Sequence, residues 1–329
     1  MKELADLVHR FAGTHVLVVG DVMIDRYLRG TVTRISPEAP VPVLNYRATD
    51  NRLGGAANVA LNLRALRAEV HLLSLVGKDE DGTLLAELLP QNDLSAAALC
   101  ASDTRQTTVK TRVLAGDQQL LRVDREDTRD ADAAELALLT TRFRDTLAHY
   151  PIGAILLQDY NKGVLSAPFI ELILREAEAR RIPVAVDPKK HNFFAYRGAT
   201  LFKPNLKEVR EGLDPTIVPE AASLRRAATE LRKRLQTPRI LITLGERGVY
   251  SDSEAGGHRY PTRPRAIVDV CGAGDSVISI ATLCLTQAAT DEQIALLANA
   301  AGGQVCEFVG VVPVDRALLL REIEQLQGV

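Results

Sequence analysis

Val268-Asp269-Val270-Cys271-Gly272-Ala273-Gly274-Asp275-Ser276 is followed at once by an apolar, helix-patterned run over 277–287. Gly272, Ala273 and Gly274 carry no bulky side chain, so the backbone there can approach a ligand closely. A helix predicted over 273–287 would begin at this point, where its first N–H groups lack partners and its dipole favours negative charge. A phosphoryl group in transfer needs such a cradle. Asp275, in the first turn, would sit beside the anion, placed to take a proton from an attacking hydroxyl. The same string also suits an acidic helix start after a glycine-rich turn, and alone it does not choose between the two.

Outward from that stretch, short apolar runs alternate with helical patterns. Segments 15–20, 70–76, 154–158, 183–186, 200–203 and 239–243 read as buried strands. Helices are predicted over 56–67, 82–89, 131–149, 167–181, 219–235, 273–287, 291–308 and 314–326. Apolar strands without polar alternation, separated by helices, predict an α/β fold: a mostly parallel central sheet with helices on both faces. Two segments break the rhythm. Residues 41–46 lie in an early insertion, and 107–114 and 118–123 flank Ala115-Gly116-Asp117, a hairpin turn. Both are expected in a small β-lid, about 28–48 and 107–123, inserted in a single domain spanning 1–329. Solvated loop acids are expected at Asp21 and Asp25, after the first strand.

Composition sets the class. Of 329 residues, 46% are hydrophobic and 25% charged, which excludes disordered, collagen-like and disulfide-scaffold chains. Forty Lys+Arg against forty-two Asp+Glu leave a formal charge of −2, so no global field draws the protein to nucleic acid or anionic membrane. Trp is absent and aromatics are 4%, which argues against base-stacking platforms. Cys100, Cys271, Cys284 and Cys306 form no C-x-x-C pair, as expected of a reducing compartment. The first fifteen residues read as an amphipathic helix rather than a signal peptide, and no run of eighteen apolar residues occurs. A cytoplasmic protein with no nucleic-acid or membrane partner is expected.

Four further strings invite chemistry, each with an ordinary alternative. Arg52-Leu-Gly54-Gly55-Ala-Ala-Asn58 opens a helix from which Asn58 would hydrogen-bond a polar ligand, or it is a plain strand-to-helix turn. In Lys203-Pro-Asn205-Leu-Lys-Glu208, an amide and a carboxylate three apart share a helical face and suit a hydrated magnesium ion; they equally suit a capping pair. Thr243-Leu-Gly245-Glu-Arg-Gly248 ends a strand as a nucleotide-side turn would, or is an ordinary strand-loop-strand turn. Asp25 lies where a carboxylate would accept sugar hydroxyls. Neither G-x-x-x-x-G-K-[ST] nor G-x-G-x-x-G after the first strand is present, against a P-loop and a dinucleotide-binding dehydrogenase.

Taken together, these strings resemble the ribokinase-like, or PfkB, carbohydrate kinase family, over about residues 13 to 326. Gly54-Gly55…Asn58 matches its first signature, Asp269-x-x-Gly272-Ala-Gly-Asp275 its second, and Asn205-x-x-Glu208 its magnesium-associated motif. Within the family, the stretches 20–27, 34–43 and 53–60 and Asp159-Tyr-Asn-Lys-Gly163 are similar to the branch acting on a heptose 7-phosphate. The resemblance implies that ATP phosphorylates the C1 hydroxyl of the sugar to a 1,7-bisphosphate for lipopolysaccharide core synthesis. It implies Asp275 as general base and Gly272, Ala273 and Gly274 as anion hole. It further implies Asn205 and Glu208 organising ATP and Mg²⁺, Thr243, Gly245 and Gly248 bordering the nucleotide, and Asn299 near the adenine. Asp25, Gly54, Gly55, Asn58 and Lys162 would meet the sugar, and Asp269 matches a residue that binds a monovalent cation in some relatives.

Arg34, Arg112, Lys162, Lys189 and Lys190 are the candidates for the sugar's phosphate, since cationic side chains suit it. A homodimer through the lid is expected, because a small sheet with an apolar face is a liability alone. Ala56 stands where ribokinases proper often have Lys, which makes a small pentose a poorer fit. Cys271 stands where Thr or Ser is usual; it reads as a buried Ser-sized residue, or as a helix-start thiol with a lowered pKa and modest sensitivity to alkylators. Other sugar or nucleoside kinases of this fold, and a non-catalytic sensor, are the alternatives.

Overall fold

A strand without a wet face needs cover on both sides, and the computed structural model, which describes residues 2–263 and 265–325, supplies it. The strands in chain order are β1 (His15–Gly20), β2 (Val22–Ile35), β3 (Pro42–Gly55), β4 (Glu69–Gly77), β5 (Leu99–Ser102), β6 (Val109–Ala115) and β7 (Gln118–Arg125). They continue as β8 (Ile152–Gln158), β9 (Val184–Asp187), β10 (Leu201–Phe202), β11 (Arg239–Thr243), β12 (Val249–Ser253) and β13 (Gly256–Tyr260). The helices are α1 (Lys2–His9), α2 (Ala56–Ala65), α3 (Glu80–Gln91), α4 (Ala133–His149), α5 (Ala167–Arg180), α6 (Leu206–Gly212), α7 (Ala221–Leu235), α8 (Ala273–Thr286), α9 (Asp291–Val305) and α10 (Arg316–Gln325).

Nine strands form the main sheet in the order β13-β12-β11-β10-β9-β8-β1-β4-β5. From β5 to β11 every pairing is parallel, and β12 and β13 close the far edge antiparallel. Alternation along β1 sorts the two cores. Val16 and Val18 join the helices α1, α2, α8, α9 and α10, while Leu17 and Val19 join α4, α5, α6 and α7. Every residue of α8 from Asp275 to Cys284 is buried, so this helix is clamped on all sides, and α2 and α9 pack against it. Among the described residues, no helix is long and apolar enough to cross a membrane.

A second sheet of four strands, β3-β2-β6-β7, stands beside the main one. It is larger than expected. β2 and β3 pair over fourteen residues each, from Val22↔Gly55 outward to Ile35↔Pro42, so the lid begins one residue after β1 ends. The expected solvated loop acids are therefore a correction. Asp21 is 1% exposed and Asp25, inside β2, is 6% exposed. Two strands had no counterpart in the sequence reading, β5 and β13, while β12 follows Gly248 as the strand-loop-strand alternative expects. The segment 200–203 shortens to the two residues of β10, since Pro204 cannot extend the ladder. Of the helix expected over 314–326, position 326 lies outside the described residues, and the helix starts at Arg316.

Candidate active site

The sheet's order reverses at β1, which has β4 on one side and β8 on the other, and an open α/β sheet binds ligands beyond the strand ends at such a point. Five strand ends deliver polar side chains there: Asp21 after β1, Gln158 ending β8, Asp187 ending β9, Lys203 after β10 and Thr243 ending β11. The N-terminus of α8 faces the same end. Gly272 caps that helix at φ 79°, a left-handed conformation that costs a glycine little. No side chain caps the start of α8, and the Ala273 amide makes only a long bond, 3.4 Å, to the Val270 carbonyl.

Asp275 lies one turn in, 6% exposed, and both its oxygens are held. Asn58 Nδ2 donates to Oδ2 at 2.6 Å, while the Tyr160 hydroxyl and Gln158 Nε2 donate to Oδ1 at 2.9 and 3.2 Å. Burial, reinforced by the charge of Asp187, pushes this carboxyl up to about 6, against the lowering by Asn58, Tyr160 and Lys203. It is thus ionised at neutral pH yet basic enough to accept a proton.

Lys203 is 2% exposed, and its ammonium pairs with Asp187 Oδ2 at 2.9 Å. A Cβ built on Gly274 would come 3.5 Å from that nitrogen, which sets the cation at the mouth of the anion hole. Asp187 Oδ1 is buried without a partner, as is Asn58 Oδ1. Neither Asp187 nor Lys203 stood out in the sequence. Their signal was position alone: each closes an apolar strand.

A cavity of about 580 Å³ opens beside the start of α8. Asn205, Thr243, Gly245, Gly248, Gly274 and Asn299 all line it, so the residues expected around a nucleotide share one space. Asn299 Nδ2 also donates to the Pro261 carbonyl at 2.7 Å, fixing the cavity's outer wall. Asn205 and Glu208 are a capping box for α6: Asn205 Oδ1 accepts from the Glu208 amide, and Glu208 Oε2 accepts from the Asn205 amide, both at 2.8 Å. The ordinary alternative is therefore realised, and it does not consume Glu208, whose Oε1 is ion-paired with the Lys189 ammonium. Burial and the charge of Asp187 push the Glu208 carboxyl up.

Among the described residues, no group of three or more His, Cys, Asp or Glu could hold a metal ion. A metal here would have one or two carboxylates and complete its shell with water and phosphate, which is the way of magnesium, and the partnerless Asp187 oxygen fits that role.

The sugar-side candidates gather across the α8 start. A Cβ on Gly54 would fall 2.3 Å from Asp25 Oδ2, so the two face one small space, and Asp25 is ion-paired with Arg112 of β6. Arg29, Arg52 and Arg112 all lie within 6 Å of the Tyr27 ring. The other cations are elsewhere: Arg34 and Lys190 are exposed, Lys162 pairs with Glu126, and Lys189 with Glu208. Asp269 accepts from the Cys271 and Gly310 amides at 3.0 and 2.9 Å, and these bonds outweigh its burial and hold it below the usual carboxylate range.

Cys271 corrects both its readings. It is exposed rather than buried, and partial burial and the Asp269 carboxylate push its thiol up to about 11 instead of down.

Comparison with known proteins bears on this arrangement. The profile of the pfkB family carbohydrate kinases matches residues 13–315. The bifunctional protein HldE of Methylobacillus flagellatus is 39% identical over 313 residues, covering 95% of this chain and 64% of the relative. That of Azorhizobium caulinodans is 41% identical over 312 residues, covering 94% and 64%. The chain thus spans somewhat less than two thirds of the length of these relatives. In fold it is similar to phosphofructokinase-2 from Escherichia coli in complex with potassium, with TM-score 0.76, 19% identity and coverage of 95% and 99%. It is also similar to Arabidopsis thaliana ribokinase complexed with ribose and ATP, with TM-score 0.72, 17% identity and coverage of 94% and 99%.

Proposed function

Because the chain belongs to the pfkB family of carbohydrate kinases, we propose that it passes the γ-phosphoryl group of ATP to the C1 hydroxyl of D-glycero-β-D-manno-heptose 7-phosphate. An ATP-dependent sugar kinase follows from the family; the heptose is the finer reading, supported by the similarity to bifunctional HldE proteins. The second activity of those longer relatives is not carried over.

One observation carries the mechanism: a buried carboxylate, fixed through both oxygens by neutral donors, sits one turn inside a helix whose N-terminus is open beside a buried ammonium. Asp275 accepts the proton of the attacking hydroxyl. The amides of Gly272, Ala273 and Gly274 and the Lys203 ammonium take up the charge that develops on the migrating phosphoryl oxygens. Magnesium, when bound, neutralises phosphate charge; Asp187 and Glu208 would hold it through water, which requires Lys189 to leave Glu208. Thr243, Gly245, Gly248, Asn205 and Asn299 border the nucleotide. Asp25, Gly54, Gly55 and Asn58 hold the sugar, with Arg112, Arg29 and Arg52 at its phosphate end. A monovalent cation near Asp269 is part of the same reading, and one fold neighbour is described with potassium. The lid excludes water, so that ATP is not hydrolysed.

The lid is also the proposed dimer face. Ile35, Val41, Tyr46, Leu121 and Val123 are all more than half exposed on it. Light scattering reads this directly, and a monomer counts against it.

A coupled ADP-release assay across sugars and sugar phosphates tests the substrate. Selective turnover of the heptose 7-phosphate is expected. Preference for another sugar or a nucleoside replaces the acceptor, and binding without turnover on any acceptor ends the kinase reading.

A further inference from the structure

The loop 159–163, between β8 and α5, contributes nothing to the phosphoryl cradle, yet its contacts converge on Asp275. Its amides are tied to two buried carboxylates. Asp21 accepts from the amides of Tyr160, Lys162 and Val164 at 2.8, 3.0 and 3.0 Å. Asp159 accepts from the Asn161 amide and the Tyr196 hydroxyl, both at 2.7 Å. Gly163, at φ 85°, passes so near the Arg129 carbonyl that a Cβ would stand 1.8 Å from its oxygen. The backbone of this loop therefore has one place to be, and from it the Tyr160 hydroxyl reaches Asp275 Oδ1 at 2.9 Å.

The loop is tied to the lid as well. Lys162 Nζ pairs at 2.9 Å with Glu126, one residue past β7, and Glu126 in turn pairs with Lys110 of β6. Arg105, just ahead of β6, donates to the Lys162 carbonyl at 2.6 Å.

We infer that Tyr160 is a positioning residue: its hydroxyl, held in place by Asp21 and Asp159 through the loop 159–163, fixes the carboxylate of Asp275 toward the acceptor hydroxyl and tunes its basicity. The inference rests on the reading of Asp275 as the base. A carboxylate with a single donor can rotate about its Cβ–Cγ bond. Asn58 on one oxygen and Tyr160 with Gln158 on the other stop that rotation. Donors to the ionised form also lower a carboxyl's pKa, so Tyr160 opposes the burial that raises it. The charged groups facing Asp275 are Asp187 from β9, Lys203 after β10, and Lys189, whose ammonium lies 5.5 Å over the Tyr160 ring.

Tyr160→Phe removes the hydroxyl and leaves the ring. A fall in kcat of about ten- to a hundredfold is expected, with both KM values changed by no more than about threefold. The acid limb of the kcat–pH profile moves to higher pH, because a donor to the ionised base is gone. Site-specific 3-fluorotyrosine at position 160 is a stronger donor and moves the limb to lower pH; it keeps the test open should Tyr160→Phe fail to fold. An unmoved limb in both Tyr160 variants, or a rise in sugar KM at constant kcat, overturns the inference. Asp275→Asn run beside them separates the two failures. If it keeps turnover, the base reading itself is wrong; if it is inactive while the limb stays put, only the role of Tyr160 falls.

Discussion

Asp275 and Glu135 are both buried carboxylates, 6% and 4% exposed, and the protein treats them in opposite ways. Asp275 meets neutral donors, an amide from Asn58, an amide from Gln158 and a phenol, and its carboxyl is pushed up to about 6 by burial. Glu135, at the start of α4 close to where the lid returns to the main sheet, is also raised by burial. There the guanidiniums of Arg129 and Arg105, the Ser102 hydroxyl and the Asp132 amide outweigh it and bring it down to about 2. Neutral amides and a phenol hold the Asp275 carboxylate still and lower its basicity less than burial raises it, whereas two guanidiniums at Glu135 more than cancel the effect of burial. Two corners of one molecule thus separate the carboxylate proposed for proton transfer from one that ties structure together.

Removing the functional member should have the largest effect. Asp275→Asn keeps the shape but turns one accepting oxygen into an NH2 group and cannot accept the proton, so kcat should fall about 10²- to 10⁴-fold, with nucleotide affinity little changed. Near-normal turnover in a coupled assay would erase the distinction between the corners. The structural member predicts the reverse pattern. Glu135→Gln leaves Arg105, whose side chain is 4% exposed, without its buried counter-charge. Breaking such a pair costs about 3–5 kcal/mol, read as a lowered urea midpoint, while kcat of the folded fraction stays close to normal. Because its folded pKa is depressed, the stabilisation from Glu135 is present above the unfolded value and lost as pH falls through about 2. The gap between wild type and variant should therefore close in strong acid; a gap independent of pH would mean that charge is not what Glu135 supplies.

The pH profile of turnover sharpens the same contrast by a smaller amount. As the proposed base, Asp275 would act only when ionised, and burial pushes its carboxyl up to about 6. Activity should be full above that value and fall about tenfold per pH unit below it. A limb near pH 4, the ordinary carboxylate value, would mean that the catalytic corner is wetter than its burial implies.

Much of this was legible in the chain because it is local. Apolar runs without alternation gave the parallel sheet, and Gly272, Gly274 and Asp275 lie within four residues of each other, so their joint meaning needs no tertiary contact. The lid's true length was hidden for a physical reason: outside the expected 28–48, β2 and β3 carry Asp25, Arg26, Asp50 and Arg52, charges that read as loop. Distance in sequence concealed the rest of the site. Tyr160 and Asn58 reach Asp275 across 115 and 217 residues. Glu208 shows a third kind of difficulty, where the capping pair and the candidate magnesium side chain are the same residue and only Lys189 on its second oxygen distinguishes the uses.

Cys271 gives the smallest predicted effect and tests whether the rule extends to a partly wet site. It lies four residues before Asp275 in sequence and just before the helix start, where a dipole alone would favour a thiolate. Partial burial and the Asp269 carboxylate outweigh the charge of Arg112 and push the thiol up to about 11. A thiolate fraction that small at neutral pH should make alkylation slower than that of a free cysteine despite the exposed sulfur, with a rate still rising past pH 9. ATP, bound next to the helix start, should slow it further. Alkylation faster than free cysteine at pH 7, measured by mass spectrometry on the intact protein, would show that the amides of Gly272 and its neighbours reach this sulfur more strongly than Asp269 does.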